Sequence, residues 1–472
     1  MNHTIGQHFR RLSDEQCEKL HQASLEILER TGARLYHQPA IDLLQRAGAH
    51  VSEGNRVRIP PTLIEQAFET VPNEVVLYDR HGEPAMRLGG HRSYFGTGSD
   101  CLNIVDHRTG QRRKPVLQDV VEGVTVCDAL PSIDFVMSMF LPKDVPDMAS
   151  DRYQMKVMLE RTTKPLMYVT NEFSGCVDAV AMAEAVVGGA GPLAERPLAA
   201  CYINVTTGLR HNEEALQKLL FLSEKNLPAA YIPVALGGAT GPITVAGNYA
   251  IWNAGCLVGL VLSQLHRPGA PFITSGFGGG AIDMRTATSP YVEPEKQFIP
   301  QELAHHYGLP MFSMGGCSDA KLPDQQAGIE AALTLVQAIL AGSHLVHDVG
   351  YLESGLTGSL AQVVICDEVI DWLRTSLGPL EITDETLALD VIDEVGPDGS
   401  FMETDHTLEN FRSRWYPRLL ERWDYEGWQD RGGRDLGQRA AERVDEILQD
   451  HVPEALPEDV QQRLSTIAEA AA

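Results

Sequence analysis

The residues best suited to chemistry lie in the segment SHLVHDVGYLESG, residues 343–355. An apolar pair, Leu345-Val346, is followed directly by His347 and Asp348, and Tyr351 stands among glycines soon after. An imidazole can exchange hydrogen bonds or bind a metal, and a neighbouring carboxylate can orient it. Polar residues at the end of an apolar run are typical of a strand that delivers side chains to a site.

His347 has three interpretations on sequence alone. It is a hydrogen-bond donor or wall in a substrate site, a histidine satisfied within the core, or a metal ligand acting with Cys317. Asp348 either orients His347 or caps local backbone. We expect no metal, because no zinc motif of established spacing occurs; His305-His306 with Glu302 lacks the H-E-x-x-H order.

Short apolar runs rich in β-branched and aromatic residues alternate with helical patterns from about residue 92. These runs span residues 93–98, 133–140, 165–170, 199–205, 229–236, 271–277, 310–316 and 344–350. Eight strand–helix units in a row predict an α/β chain of the (β/α)8 TIM barrel type. We expect an N-terminal helical extension over 1–90, the barrel over 91–375 and a C-terminal helical extension over 376–472.

Aromatic residues lie on or just after the predicted strands, at the end where barrel enzymes place their sites. Rings around one cavity hold a quaternary ammonium ion, which accepts no hydrogen bond and carries only diffuse charge. Since alternate strand residues point to opposite faces, about half of the rings belong to the core. The candidate substrate-binding residues are Tyr94, Phe95, Tyr202, Tyr231, Phe277, Phe312, His347 and Tyr351.

Composition narrows the class of protein. The 472 residues include 38 basic and 64 acidic side chains, a formal charge of −26, which disfavours nucleic acid or anionic membrane as partner. The eight cysteines form no C-x-x-C pair and favour reduced thiols in the cytoplasm. No signal peptide, P-loop, dinucleotide fingerprint or G-x-S-x-G elbow is present, and the longest apolar stretch, 250–265, is too short and polar for a membrane span.

Four segments together resemble one known family, the trimethylamine methyltransferase superfamily. They are 284–295, 313–332, 347–370 and 387–412, and the likeness extends over essentially the whole chain. The resemblance is to the branch without pyrrolysine, typified by glycine betaine methyltransferase. It implies a barrel that passes a methyl group from a methylamine to the cobalt of a separate corrinoid protein.

A separate carrier also fits the motifs of this chain. The nearest approach to the corrinoid-binding motif D-x-H-x-x-G begins at Asp79 and has Pro84 where glycine is required. The corrinoid is therefore expected on a partner protein that docks at the barrel mouth. The residues expected to allow its approach are Gly237, Gly238, Gly278, Gly279, Gly316 and Asp319.

The resemblance implies that family members acting on trimethylamine carry pyrrolysine at the barrel mouth, whereas this chain contains only the twenty usual residues. The residue that replaces pyrrolysine is expected within 315–318. A quaternary nitrogen leaves as a neutral amine without an activating group, so orientation and desolvation suffice. We therefore expect a quaternary amine, with glycine betaine first and proline betaine, carnitine or γ-butyrobetaine as alternatives. A zinc-dependent barrel methyltransferase, a non-catalytic betaine-binding protein and association into a homo-oligomer stay open.

Overall fold

The computed structural model describes residues 8–296 and 298–470. Its strands are β1 (Ala33–Leu35), β2 (His50–Ser52), β3 (Arg56–Arg58), β4 (Val75–Tyr78), β5 (Pro84–Leu88), β6 (Tyr94–Phe95), β7 (Asn103–Val105), β8 (Arg112–Arg113), β9 (Leu166–Tyr168), β10 (Ala199–Val205), β11 (Arg210–His211), β12 (Ala229–Pro233), β13 (Phe272–Ser275), β14 (Met311–Met314), β15 (Leu345–His347), β16 (Tyr351–Leu352) and β17 (Thr357–Gly358).

Ser13 caps the first α-helix, since its hydroxyl accepts a hydrogen bond from the backbone N–H of Gln16. They are α1 (Asp14–Glu26), α2 (Gln38–Arg46), α3 (Pro61–Thr70), α4 (Leu117–Ala129), α5 (Ser150–Arg161), α6 (Phe173–Val187), α7 (Ala190–Glu195), α8 (Glu213–Lys225), α9 (Val245–His266), α10 (Ile299–Tyr307), α11 (Gln325–Leu340), α12 (Leu360–Leu377), α13 (Asp384–Leu387), α14 (Leu389–Val395), α15 (Asp405–Asn410), α16 (Tyr425–Asp430), α17 (Leu436–Asp450) and α18 (Glu458–Ala470).

The central sheet has seven strands in the order β6-β15-β14-β13-β12-β10-β9, and every neighbouring pair is parallel. The predicted α/β class with a parallel sheet is thereby confirmed, and seven of the eight expected runs are regular strands of this sheet. Helices connect most of the successive strands, as parallel pairing requires.

The eighth expected run, 133–140, forms no regular strand. It makes isolated parallel bridges to both edges of the sheet, Phe135 to Gly96 and Val136 to Leu166. At the next residue the hydroxyl of Thr97 donates to the carbonyl of Met137 at 3.0 Å and accepts from its amide at 3.2 Å. The Thr97 side chain thus makes the hydrogen bonds that a neighbouring strand's backbone would make in a regular sheet. The run 133–140 therefore pairs only at isolated residues.

The N-terminal ninety residues were predicted to be helical, but helices are not their only regular structure. They also contain β1 to β5, and the β4–β5 hairpin packs its apolar side chains against Tyr94 and Phe135 at the start of the central strands. These hairpin residues are Val75, Leu77, Met86 and Leu88. The hairpin therefore covers the N-terminal end of the sheet and leaves the C-terminal end for a site.

Helix α9 is long and apolar enough, by length and composition, to cross a membrane. In the described chain, however, 78% of its apolar window is buried, and it packs on α1, α3 and α8. Its apolar composition is explained by burial on several sides, as for the central helix of a globular core.

Candidate functional site

Four rings meet at the C-terminal end of the central sheet; we call them the ring cluster. Phe312 of β14 and His347 of β15 are stacked with centroids 4.1 Å apart. Tyr202 of β10 lies 5.0 Å from Phe312, and Phe277, just after β13, lies 5.1 Å from His347. Phe312 and His347 are buried while Tyr202 and Phe277 are half-buried, so the cluster has a closed floor and partly open walls.

Both nitrogen atoms of the His347 ring have partners inside the protein. Nδ1 contacts the carbonyl oxygen of Ser313, which can only accept, so Nδ1 carries a proton. Nε2 lies 3.3 Å from Oδ2 of Asp348. His347 therefore presents its ring, and not a free N–H, to the cluster. Its predicted role in substrate binding, as hydrogen-bond donor or as wall, stays a prediction.

Asp348 is buried beside the ring cluster in a left-handed backbone conformation with φ of 72°. Its Oδ2 also accepts from the hydroxyl of Tyr291 at 2.9 Å. Burial raises the pKa of Asp348, an effect that His347 and Tyr291 oppose. A Cβ on Gly98 would lie 2.1 Å from Oδ1, so only glycine leaves room for this carboxylate.

A second carboxylate, Asp100, lies at the same edge and also has left-handed backbone, with φ of 64°. Gln154 donates to it at 3.4 Å and Ser99 at 3.2 Å, while burial raises its pKa. Burial is the main cause of the raised pKa of Tyr202, and the charges of Asp348 and Asp100 raise it further. Both carboxylates therefore lie close enough to the ring cluster to act on it electrostatically.

Tyr351 packs beside the two carboxylates, but its hydroxyl is already used. It donates to the carbonyl of Ser99 at 2.6 Å and lies 3.4 Å from that of Met139, a third residue with left-handed backbone. Strained non-glycine residues concentrate where a fold holds a functional geometry. Tyr351 thus fixes the loops that carry Asp100, and its predicted contact with substrate stays a prediction.

Comparison with known proteins shows which family the chain belongs to. The family model described as Trimethylamine methyltransferase (MTTB) matches residues 3–470. The chain belongs to this family.

Individual relatives of the family show the range of named substrates. The chain is 34% identical over 461 residues to a trimethylamine methyltransferase of Desulfitobacterium hafniense (strain DSM 10664 / DCB-2), covering 97% of this chain and 93% of the relative. It is 30% identical to a glycine betaine methyltransferase of Desulfitobacterium hafniense (strain Y51), covering 96% and 95%. The solved Methanosarcina barkeri monomethylamine methyltransferase shares the fold, with a TM-score of 0.51, 13% identity and coverage of 95% and 89%.

Within this trimethylamine methyltransferase family member, three predicted substrate residues lie away from the ring cluster. Tyr94 points into the sheet's N-terminal end, where its hydroxyl accepts from the amide of Arg87 at 3.0 Å. Phe95, the next residue of the strand, points to the opposite face, toward the helices, and its ring lies under the guanidinium of Arg374. Tyr231 also faces the helices and lies 2.7 Å from a ring nitrogen of His211. The aromatic pattern located the strands correctly but left each ring's direction undecided.

The residues expected to admit the corrinoid are mostly occupied by the chain's own packing. Hypothetical Cβ atoms on Gly237, Gly278, Gly279 and Gly316 would lie within 2.2–3.4 Å of neighbouring atoms. Gly238 is exposed, but a Cβ there would still lie 2.8 Å from the side chain of Met284. Asp319 accepts from the amides of Tyr291 and Val292 and from the hydroxyl of Ser354. Asp319 therefore anchors the loop that carries Tyr291, and a role in corrinoid approach stays a prediction.

The zinc alternative has little support from donor geometry. Within residues 8–296 and 298–470, no three His, Cys, Asp or Glu side chains form a group suited to a metal ion. Burial and the neighbouring carboxylates Asp348 and Asp319 raise the pKa of the Cys317 thiol well above its usual value. His347 is engaged by Ser313 and Asp348.

Asp100 and Tyr291 were not among the candidate site residues selected from the sequence. Asp100 ends the segment GTGSD directly after β6, so a polar residue following glycines at a strand end was its signal. Tyr291 lies on a long loop between β13 and α10, far from any strand end. Only the folded chain brings its hydroxyl to Asp348.

Proposed function

We propose that the chain transfers a methyl group from a quaternary amine to the cobalt(I) of a corrinoid carried by a separate protein. The observation that supports this most strongly is the ring cluster beside two buried or partly buried carboxylates, Asp348 and Asp100. Aromatic faces and carboxylates together stabilise a permanent cation in a site that water does not fill.

Quaternary nitrogen also explains how the usual twenty residues suffice. The methyl C–N bond breaks with its electron pair remaining on nitrogen, so a neutral tertiary amine departs and no proton needs to be supplied. The reduced corrinoid supplies the nucleophile that takes the methyl group. The residues of this chain hold the ammonium against the rings, align one methyl group toward the open side and exclude water.

Among quaternary amines we propose glycine betaine first, with proline betaine, carnitine and γ-butyrobetaine as alternatives. A relative bearing the name glycine betaine methyltransferase supports this choice, and another named for trimethylamine argues for testing that amine too. We further propose that the bridges at Phe135 and Val136 close the sheet into an eight-stranded barrel. A cytoplasmic location is likewise proposed, consistent with eight free, buried cysteines.

The deciding experiment supplies the purified protein with free cob(I)alamin and a panel of amines and follows methylcobalamin absorbance. The panel contains glycine betaine, proline betaine, carnitine, γ-butyrobetaine, choline and trimethylamine. We expect methylation with at least one quaternary amine and none with trimethylamine. Choline, which lacks a carboxylate, separates recognition of the ammonium from recognition of a betaine's acid group.

Two outcomes would overturn the proposal, and a third would favour its zinc-dependent alternative. Methylation from trimethylamine alone would assign the chain to tertiary amines. A substrate-dependent rise in melting temperature without any methylation, also after adding the corrinoid partner, would indicate a non-catalytic binding protein. Stoichiometric zinc in the active preparation would favour the zinc-dependent alternative.

The affinity for a quaternary amine should depend on pH through Asp348 and Asp100. Burial raises the pKa of both groups above the usual 3.8. Their ionised forms attract the cation, so affinity is full above the raised pKa values and falls as pH drops through them. Calorimetric titration in buffers of different ionisation enthalpy should also detect proton release in that range, since a bound cation favours the ionised forms.

A further inference from the structure

A long loop, residues 276–296, lies at the C-terminal end of the central sheet; we call it the lid. It follows β13 directly and contains no helix and no regular strand. Loops of more than about 12–15 residues without regular structure are uncommon in compact domains and often close over active sites. The second residue of the lid is Phe277, a member of the ring cluster, so the lid starts within the candidate site.

The lid is fastened to two strands other than its own. Asp319, which follows β14, accepts hydrogen bonds from the backbone amides of Tyr291 at 2.8 Å and Val292 at 3.1 Å. Asp348, which follows β15, accepts from the hydroxyl of Tyr291 at 2.9 Å. Since β13, β14 and β15 are neighbours in the sheet, the lid crosses the ends of the two strands that form the floor of the ring cluster.

The two ends of the lid hold its position closely. The hydroxyl of Tyr291 lies where a Cβ on Gly355 would be only 2.4 Å away, so glycine leaves the space for it. At the returning end, Lys296 is 8% exposed, and its ammonium donates to the carbonyl of Pro290. The backbone carbonyl of Lys296 accepts from the hydroxyl of Tyr249 at 2.9 Å, which ties this end to α9.

Between its ends the lid depends on hydrogen bonds more than on apolar packing. No residue from 281 to 295 is buried, and at the tip Met284 is 70% exposed and the side chain of Arg285 is 88% exposed. A segment with few buried apolar contacts belongs to the least stable part of a fold and opens before the core does. The contacts of Tyr291 and Val292 therefore decide whether the lid is closed.

The carboxylate that holds the lid also lies beside the ring cluster. Oδ2 of Asp348 is 2.9 Å from the hydroxyl of Tyr291 and 3.3 Å from Nε2 of His347. Hydrogen bonds to an ionised acceptor are about twice as strong as those to a neutral one. A quaternary ammonium held against the rings keeps Asp348 ionised, and an ionised Asp348 holds Tyr291 more strongly. A positive charge in the site therefore stabilises the closed lid.

We propose that the lid closes over a bound quaternary amine and that Tyr291 is the positioning residue that couples this closure to the positive charge of the substrate. The proposal rests on the proposed function, since it requires a cation against the ring cluster. The closed lid excludes water from the rings, and the open lid admits the amine and releases the demethylated product. Tyr291 acts on the reaction through Asp348.

Hydrogen exchange of the full chain, followed by mass spectrometry of peptides covering 281–296, tests the coupling. Glycine betaine at saturation should slow exchange of the Tyr291 and Val292 amides by about fivefold or more, the lower end of ordinary coupling between two sites. tert-Butylacetic acid has the shape of glycine betaine with carbon in place of nitrogen, and it should leave exchange as in the protein without ligand. Equal slowing by this neutral analogue would overturn the role of charge.

Two variants separate coupling from simple attachment. Tyr291→Phe keeps the ring but not the bond to Asp348, so its lid should exchange faster and lose the slowing by glycine betaine. Ser354→Ala removes a donor 2.7 Å from Asp319 and leaves Tyr291 in place, so exchange without ligand should rise but the slowing should persist. The control is Tyr416→Phe, because Tyr416 is 69% exposed; it should behave as wild type. All variants should keep the melting temperature of wild type within a few degrees.

Calorimetric binding distinguishes failure of the lid from failure of the proposed function. If a quaternary amine of the methylation panel binds and is demethylated while exchange over 281–296 stays unchanged, the lid is overturned and the proposed function stands. If no quaternary amine of the panel binds, both are overturned. Slowing that persists in Tyr291→Phe would show that Tyr291 does not couple closure to the substrate.

Discussion

Asp348→Asn should lower kcat/KM for the quaternary amine by about 100-fold or more. Removing one charge of a buried ion pair costs about 3–5 kcal/mol, and each 1.4 kcal/mol is about tenfold in binding. Asparagine has nearly the same shape and can still accept from Tyr291, whose hydroxyl lies 2.9 Å from Oδ2 of Asp348. The initial rate of methylcobalamin formation and calorimetric binding would measure the loss.

The matched control for this variant is Glu172→Gln. Glu172 is an exposed carboxylate that follows β9 at the same end of the sheet. It should change kcat/KM less than twofold. If Asp348→Asn lowers the melting temperature sharply, or if it binds the amine as wild type does with the same pH dependence, Asp348 has a structural role only.

Acid should unfold the protein steeply because two histidines are buried in the neutral form. Burial lowers the pKa of His211 and of His344 to about 3. In the unfolded chain they titrate near 6.5, so between these values the unfolded state binds protons that the folded state does not. Stability is therefore full above about pH 6.5 and falls by about 1.4 kcal/mol per pH unit for each histidine, together about 5 kcal/mol at pH 4.5.

Urea unfolding at pH 7.5 and 4.5 measures this loss, and a variant isolates its source. Buried carboxylates such as Asp348 and Asp367, whose pKa values burial raises, act in the opposite direction, so the comparison between variants is decisive. His211→Gln with His344→Gln should lower stability at neutral pH but remove most of the extra loss in acid. The exposed His50→Gln should leave the loss unchanged; an equal loss in the double variant would show that other groups cause it.

The sequence by itself determined seven parallel strands of the central sheet and the helices between them, but not the irregular form of the run 133–140 or the strands β1 to β5. These features depend on local signals: apolar runs of strand length, helical periodicity and the cap at Ser13 are properties of neighbouring residues. The motifs also indicated the family correctly, since they are contiguous stretches such as 347–370. The four rings of the cluster were all among the eight candidates, because their positions on the strands or just after them are visible in the sequence.

Only the tertiary structure decided which rings meet and what covers each surface. In β6 and β12, neighbouring residues point to opposite faces of the sheet, so a shift of one residue moves a side chain from the face of the ring cluster to the face of the helices. The pairing that decides which residue faces which way is made with strands distant in the sequence. Asp100, Tyr291 and Asp348 come from three distant segments, so their contacts depend on the folded chain. Leu380, Leu389 and Leu408 resemble core residues in the sequence, yet they are 82%, 63% and 70% exposed, because burial depends on the packing of distant elements and not on residue type.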